Sequence, residues 1–100
     1  DVAAGADLVP AGRPLRAPDL GLLAAAGVVD LPVHARPRVV IISTGDEVVA
    51  PSTATLRPGQ VRDATASALA GLVRDAGGEP VYTGIVPDDP GALESVLREV

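Results

Sequence analysis

Two acidic tips hold most of the chemistry available to this sequence. The first is Thr44-Gly45-Asp46-Glu47, which follows the apolar run Val39-Val40-Ile41-Ile42 and Ser43. The second is Asp88-Asp89, directly after Ile85-Val86-Pro87. Carboxylates are oxygen ligands for hard cations, directly or through water. Thr44 adds a hydroxyl, and Gly45 adds a backbone that a ligand can approach closely. If both tips stand on one rim of a sheet, Glu47 and Asp88 make an electronegative notch. Such a notch repels an anionic substrate unless a cation such as Mg²⁺ neutralises it. A simpler reading competes at each tip. Asp46 and Glu47 can cap the turn after a strand and stay solvated. Asp89 can cap a helix, whose positive end favours a carboxylate. That accounts for Asp89 and leaves Asp88.

A third candidate is Gly59-Gln60-Val61-Arg62-Asp63-Ala64-Thr65. Asp63 as a helix cap is the plain account. A helix start also attracts anions, so Thr65 and the neighbouring amides could meet a phosphate. No glycine-rich dinucleotide or P-loop fingerprint accompanies them. His34, among prolines and arginines, reads as a surface residue. Nothing places Ser43 near a base, so a nucleophilic triad has no support.

The elements that must position these residues follow from the pattern. A β-branched run too short for a helix reads as a strand over 38–43, buried on both faces of a parallel sheet. Folds of that kind bind ligands at the carboxyl ends of their strands. Val48 to Val61 reads as a long loop containing proline. A helix follows from Asp63, with Leu69, Leu72, Val73 and Ala76 as its apolar face and Gly77-Gly78 as its stop. Val81 to Val86 reads as a second strand. Asp89 at the N-cap and Pro90 at the first position open a last helix. Strand, helix, strand, helix at this spacing is a βαβα unit with a right-handed crossover.

Upstream the pattern is weaker. Turn formers at Gly5, Asp7, Pro10, Gly12 and Pro14 surround Leu8, Val9 and Leu15, as at the end of a small β element. Pro18 and Asp19 open a short helix through Leu20, Leu22, Leu23 and Ala26, stopped by Gly27. Val28 to Val33 could form an edge strand, since Pro32 interrupts it. His34 to Pro37 is a linker.

Composition narrows the function classes. Apolar residues make up 47% of the chain, which marks it as globular. Its core must be aliphatic, because Tyr82 is the only aromatic residue. A net charge of −5 with scattered arginines argues against a nucleic-acid surface. Without cysteine there is no disulfide framework, thiol nucleophile or thiolate metal site. The single histidine cannot build a histidine-rich zinc site. No apolar run reaches the roughly 18 residues of a membrane span, so no membrane partner is expected and a soluble intracellular protein is the default. One hundred residues allow one domain at most. The chain starts at Asp1 and stops at Val100 within an amphipathic helix, where Leu93, Val96, Leu97 and Val100 share one face. Two strands and two helices cannot bury both faces of a parallel sheet, so the chain is expected to be a piece of something longer.

Three motifs in order carry a resemblance. They are Pro37-Arg-Val-Val-Ile-Ile-Ser-Thr-Gly-Asp-Glu-Val, Pro58-Gly-Gln-Val-Arg-Asp63 and Gly84-Ile-Val-Pro-Asp-Asp-Pro90. Together they resemble the molybdopterin molybdenumtransferase family, the group of MoeA and the gephyrin E-domain. The upstream pieces Leu8-Val-Pro-Ala-Gly-Arg-Pro-Leu and Asp19-Leu-Gly-Leu-Leu-Ala-Ala-Ala-Gly27 resemble the segment preceding that domain. The resemblance implies an α/β fold: a partial three-layer, Rossmann-like molybdopterin-binding βαβα unit, preceded by a short β/α segment of a neighbouring domain. Residues 1–36 would be that domain's tail and linker, and 37–100 the truncated first part of the molybdopterin-binding domain. It implies insertion of molybdate into adenylylated molybdopterin with Mg²⁺ and release of AMP, by a cytoplasmic homodimer. By motif position Glu47 and Asp88 match acidic residues of the family's active site, with Asp46 beside them, and are the expected catalytic and metal-holding pair. Thr44, Gly45, Asp46, Asp63 and Thr65, at the strand end and the helix start, are the expected substrate contacts. The family usually carries Asp-Ser-Asn where this chain has Asp63-Ala64-Thr65, which removes a hydroxyl and an amide. Two other readings stay open: a non-catalytic pterin-binding or scaffolding module of the same fold, and an inactive fragment.

Overall fold

The computed structural model describes residues 3–100. Asp1 and Val2, part of the expected 1–36 segment, lie outside the described residues. The chain forms two units, Asp1–His34 and Ala35–Val100.

In the first unit, helix α1 spans Ala17–Ala25. Pro18 in its first turn has no N–H to leave unpaired, and its fixed φ suits a helix start. The Asp19 carboxylate closes that turn by accepting the Arg16 N–H at 2.8 Å. The Arg13 guanidinium also grips it through two bonds of 2.8 and 2.7 Å. Asp19 is thereby buried, with 6% of its surface exposed. Ala26 caps the helix, and Gly27 turns the chain away at φ +84°. The edge strand expected over Val28–Val33 does not form, and no residue from 3 to 37 is in a strand. A strand needs a ladder partner, and none is present among the described residues of this unit; Val29 stays 90% exposed.

The second unit contains β1 (Arg38–Thr44), β2 (Val48–Val49), β3 (Val61–Arg62), α2 (Ala64–Asp75), β4 (Glu79–Val86) and α3 (Pro90–Glu99). Strands β1 and β4 pair in parallel, and α2 makes the crossover between them. This is the βαβα order that the sequence predicts. The ladder begins where the Glu79 N–H reaches the Pro37 carbonyl at 2.8 Å. Getting there requires Gly78: a Cβ on it would stand 2.9 Å from Val73 Cγ1 and 3.4 Å from the Pro37 oxygen. Inside the expected loop 48–61, the ends zip into a two-residue parallel ladder, Val48 to Val61 and Val49 to Arg62. The Arg62 side chain braces that loop with bonds of 2.7 to 3.0 Å to the carbonyls of Thr53 and Ala54.

Burial corrects two expectations. Of the expected face of α2, Val73 is half-buried, whereas Leu69 and Leu72 are 42% and 63% exposed and Ala76 is open. Val73 instead lines up with buried Ala66 and half-buried Ala70 at i, i+4 and i+7. The small alanines let the helix lie close to the strands, and the leucines point elsewhere. Strand β1 is not buried on both faces either. Ile41 is 5% exposed and joins Ala66 and Val86 in the core, while Val39 and Val40 stay open.

Candidate functional site at the carboxyl rim of the parallel pair

Strands β1 and β4 end level with each other, Thr44 beside Val86. The Gly45 N–H extends the ladder one step by donating to the Val86 carbonyl at 3.2 Å. Gly45 then takes φ +139°, a conformation that side chains rarely adopt. A tight turn follows, closed by the Val48 N–H on the Gly45 carbonyl at 3.2 Å. It folds the Glu47 carboxylate back so that Oε2 lies 2.8 Å from where a Cβ on Gly45 would stand. Glycine is required here by both backbone angle and space. The Glu47 carbonyl meanwhile accepts the Val61 N–H at 2.9 Å, tying the turn to β3.

Across the rim the two acidic tips clasp each other. The Asp46 N–H donates to Asp88 Oδ2 at 3.1 Å, and the Asp88 N–H donates to Asp46 Oδ1 at 3.1 Å. Each aspartate spends one carboxylate oxygen on its neighbour's backbone. The other oxygen makes no hydrogen bond among the described residues, and both side chains are exposed. Asp89 does something different: it accepts the Ala92 N–H at 3.1 Å and caps α3. The adjacent aspartates thus divide into a helix cap and a rim residue.

Below the rim lies a network that the sequence reading did not assemble. Asp63, 4% exposed, caps α2 by accepting the Ala66 N–H at 3.0 Å on Oδ1. Its Oδ2 accepts the Ser43 hydroxyl at 2.5 Å and the Tyr82 hydroxyl at 2.8 Å. The Ser43 hydroxyl, followed by the Ala66 N–H, holds the Asp63 carboxyl below its ordinary range, and burial works the other way. Burial, with the hydrogen bond to Asp63, pushes the Tyr82 phenol up. One buried carboxylate so joins the end of β1, the middle of β4 and the start of α2. The available signal was Tyr82, the lone aromatic, whose phenol needs a partner in the middle of a strand.

Gly45, Asp46, Glu47 and Asp88 therefore share one rim, with Thr44 exposed at its edge. Asp88 is paired with Asp46, and no hydrogen bond links it to Glu47. Thr65 is exposed in the first turn of α2, two residues past Asp63, whose carboxylate is already engaged. Among the described residues no three acidic or histidine side chains gather to hold an ion. Mg²⁺ commonly takes one or two carboxylates and completes its shell with water and substrate phosphates. The rim fits that partial role and not that of a cage made wholly by protein.

Residues 40–100 match the family model described as a probable molybdopterin binding domain. Among curated proteins, the chain is 47% identical over 96 residues to a molybdopterin molybdenumtransferase of Nostoc, covering 96% of this chain and 22% of that protein. It is 42% identical over 97 residues to molybdopterin molybdenumtransferase 2 of Mycobacterium tuberculosis, covering 97% of this chain and 24% of that one. Two crystal structures of a molybdopterin biosynthesis MoeA protein from Pyrococcus horikoshii superpose with TM-scores of 0.82 and 0.74 at 35% identity. They cover 92% and 85% of this chain, and 23% and 22% of theirs. The chain spans about a quarter of the length of the relatives it matches.

Proposed function

The chain belongs to the molybdopterin-binding domain family, and from that premise we propose that it serves molybdenum cofactor biosynthesis as part of a molybdopterin molybdenumtransferase. Its reaction is insertion of molybdate into adenylylated molybdopterin with release of AMP. The observation that carries this reading is the clasp between Asp46 and Asp88, which fixes two acidic strand ends side by side at a sheet's carboxyl rim. Open α/β sheets bind their ligands at that edge. Asp46 and Asp88 orient each other, and Gly45 leaves the space that the Glu47 carboxylate fills at the rim. Asp63 holds Ser43 and the start of α2 in place, where the Thr65 hydroxyl meets the substrate together with Thr44.

Glu47 and Asp88 would hold Mg²⁺, which when bound screens phosphate charge. The residues act by electrostatic positioning, with no covalent protein intermediate. Residues 1–36 belong to the tail of a preceding domain and its linker, and 37–100 to the first part of the molybdopterin-binding domain. The working protein is a cytoplasmic homodimer. Among the described residues no helix is long and apolar enough to cross a membrane.

Incubation of the full protein with adenylylated molybdopterin, molybdate and Mg²⁺ should release AMP. Glu47→Ala should cut that release by roughly a hundredfold or more, the scale of a lost charge-stabilising group, with the fold intact by circular dichroism. Full turnover by the variant would remove Glu47 from the chemistry. Tight pterin binding without AMP release by the native protein would favour the non-catalytic module.

A further inference from the structure

The parallel ladder between β1 and β4 is not regular. Ile41 pairs with Tyr82 and Ser43 pairs with Ile85, so two steps along β1 match three along β4. The surplus residue sits at Thr83-Gly84. Gly84 takes φ +104°, and a Cβ there would meet nothing within 4 Å. Backbone angle, and not crowding, is what asks for glycine. The Thr83 hydroxyl braces the bulge by donating to the Ile41 carbonyl at 3.3 Å. Bulges of this kind bend a strand and re-aim the residues beyond it.

We infer that the Gly84 bulge is the positioning element of the rim: it decides that Asp88 stands level with Asp46, one residue short of Glu47, so that the two aspartates exchange their hydrogen bonds. The register makes the point by counting. With the bulge, Thr44 pairs with Val86, so Asp46 and Asp88, each two residues on, stand level. Were all eight residues of β4 in a regular ladder, Thr44 would pair with Ile85 and Asp88 would stand level with Glu47. One residue of offset is about 3.3 Å, enough to break both hydrogen bonds of the clasp. It also flips every side chain beyond it to the other face. The bulge lets Tyr82 and Ile85, three residues apart, lie on the same face as their partners Ile41 and Ser43. Tyr82 can then reach Asp63 while Asp88 still reaches Asp46. The role assigned to Gly84 rests on the function proposed above only where turnover is concerned.

Two variants of the full chain separate this from a simple loss of stability. Gly84→Val cannot hold a positive φ and drives β4 toward the regular, offset ladder. A variant lacking Gly84 has no surplus residue, so a regular ladder keeps Ser43 beside Ile85 and Asp46 beside Asp88. In amide hydrogen exchange, Gly84→Val should speed exchange at Asp46 and Asp88 about tenfold, the loss of one modest hydrogen bond. The Gly78 and Glu79 amides at the far end of β4 should keep their protection. The deletion should leave Asp46 and Asp88 protected, and AMP release should fall in Gly84→Val and persist in the deletion. Protected rim amides in Gly84→Val would overturn the assignment, as would their exposure, or loss of the fold, in the deletion. Opened amides with unchanged AMP release would leave the register role standing and remove this rim from the reaction.

Discussion

Asp19 shows how much one side chain can gather. Its two hydrogen bonds from Arg13, then the Arg16 N–H, outweigh burial and lower its pKa to about 2. A carboxyl whose folded pKa lies below its unfolded value stabilises the fold at higher pH, and that contribution fades as pH falls. The window runs from about 4, the ordinary aspartate value, down to about 2. Over that interval α1 should lose ellipticity, and Arg13→Ala should move the Asp19 titration, followed by carboxyl NMR, back toward the ordinary range. Asp63 is the second such residue. Asp63→Ala leaves the Ser43 and Tyr82 hydroxyls and the Ala66 N–H without their acceptor, whereas Tyr82→Phe removes a single bond. Urea unfolding should rank them accordingly, with the alanine variant much the less stable. Equal midpoints would mean that the shared carboxylate does not couple the three elements. Neither residue's full role was legible beforehand, because Arg13 is six positions from Asp19, and Ser43 and Tyr82 lie twenty and nineteen from Asp63.

Elements with strong local punctuation were read well. Asp63 and Asp89 cap α2 and α3, and Gly27 and Gly77 turn the chain at helix ends with positive φ. The β-branched run gave away β1. What escaped depends on partners distant in sequence. The Val48–Val49 ladder with Val61–Arg62 is too short to leave a periodic trace, and Val28–Val33 has strand-forming residues but no ladder partner among the described residues. On α2 the expected Val73 does face the strands, but Leu69 and Leu72 do not: leucines outweigh alanines in any hydrophobic count, yet close approach to a sheet selects Ala66 and Ala70. Gly78 marks a related constraint. Gly78→Ala would drive a methyl group against Val73 Cγ1, and overpacking of that sort costs about 1–3 kcal/mol. A denaturation midpoint equal to that of the native protein would show that Val73 yields without strain.

At the scale of the molecule, two parallel strands with a crossover helix set the position of everything chemical. The sequence carried the idea that the tips after Ser43 and Val86 converge, and they do. Glu47 was expected beside Asp88, but the residue that Asp88 clasps is Asp46. A one-residue bulge makes that difference, and no periodicity count along β4 exposes it. The charge of Asp88, and not only its hydrogen bonds, is what the proposed chemistry needs. Asp88→Asn retains a carbonyl oxygen that can accept the Asp46 N–H and removes the negative charge, so geometry and electrostatics part company in one substitution. The decisive measurement is AMP release from adenylylated molybdopterin and molybdate by this variant of the full protein. The rim account predicts a fall of roughly a hundredfold with the Asp46 amide still protected from exchange. Native turnover by Asp88→Asn would contradict it.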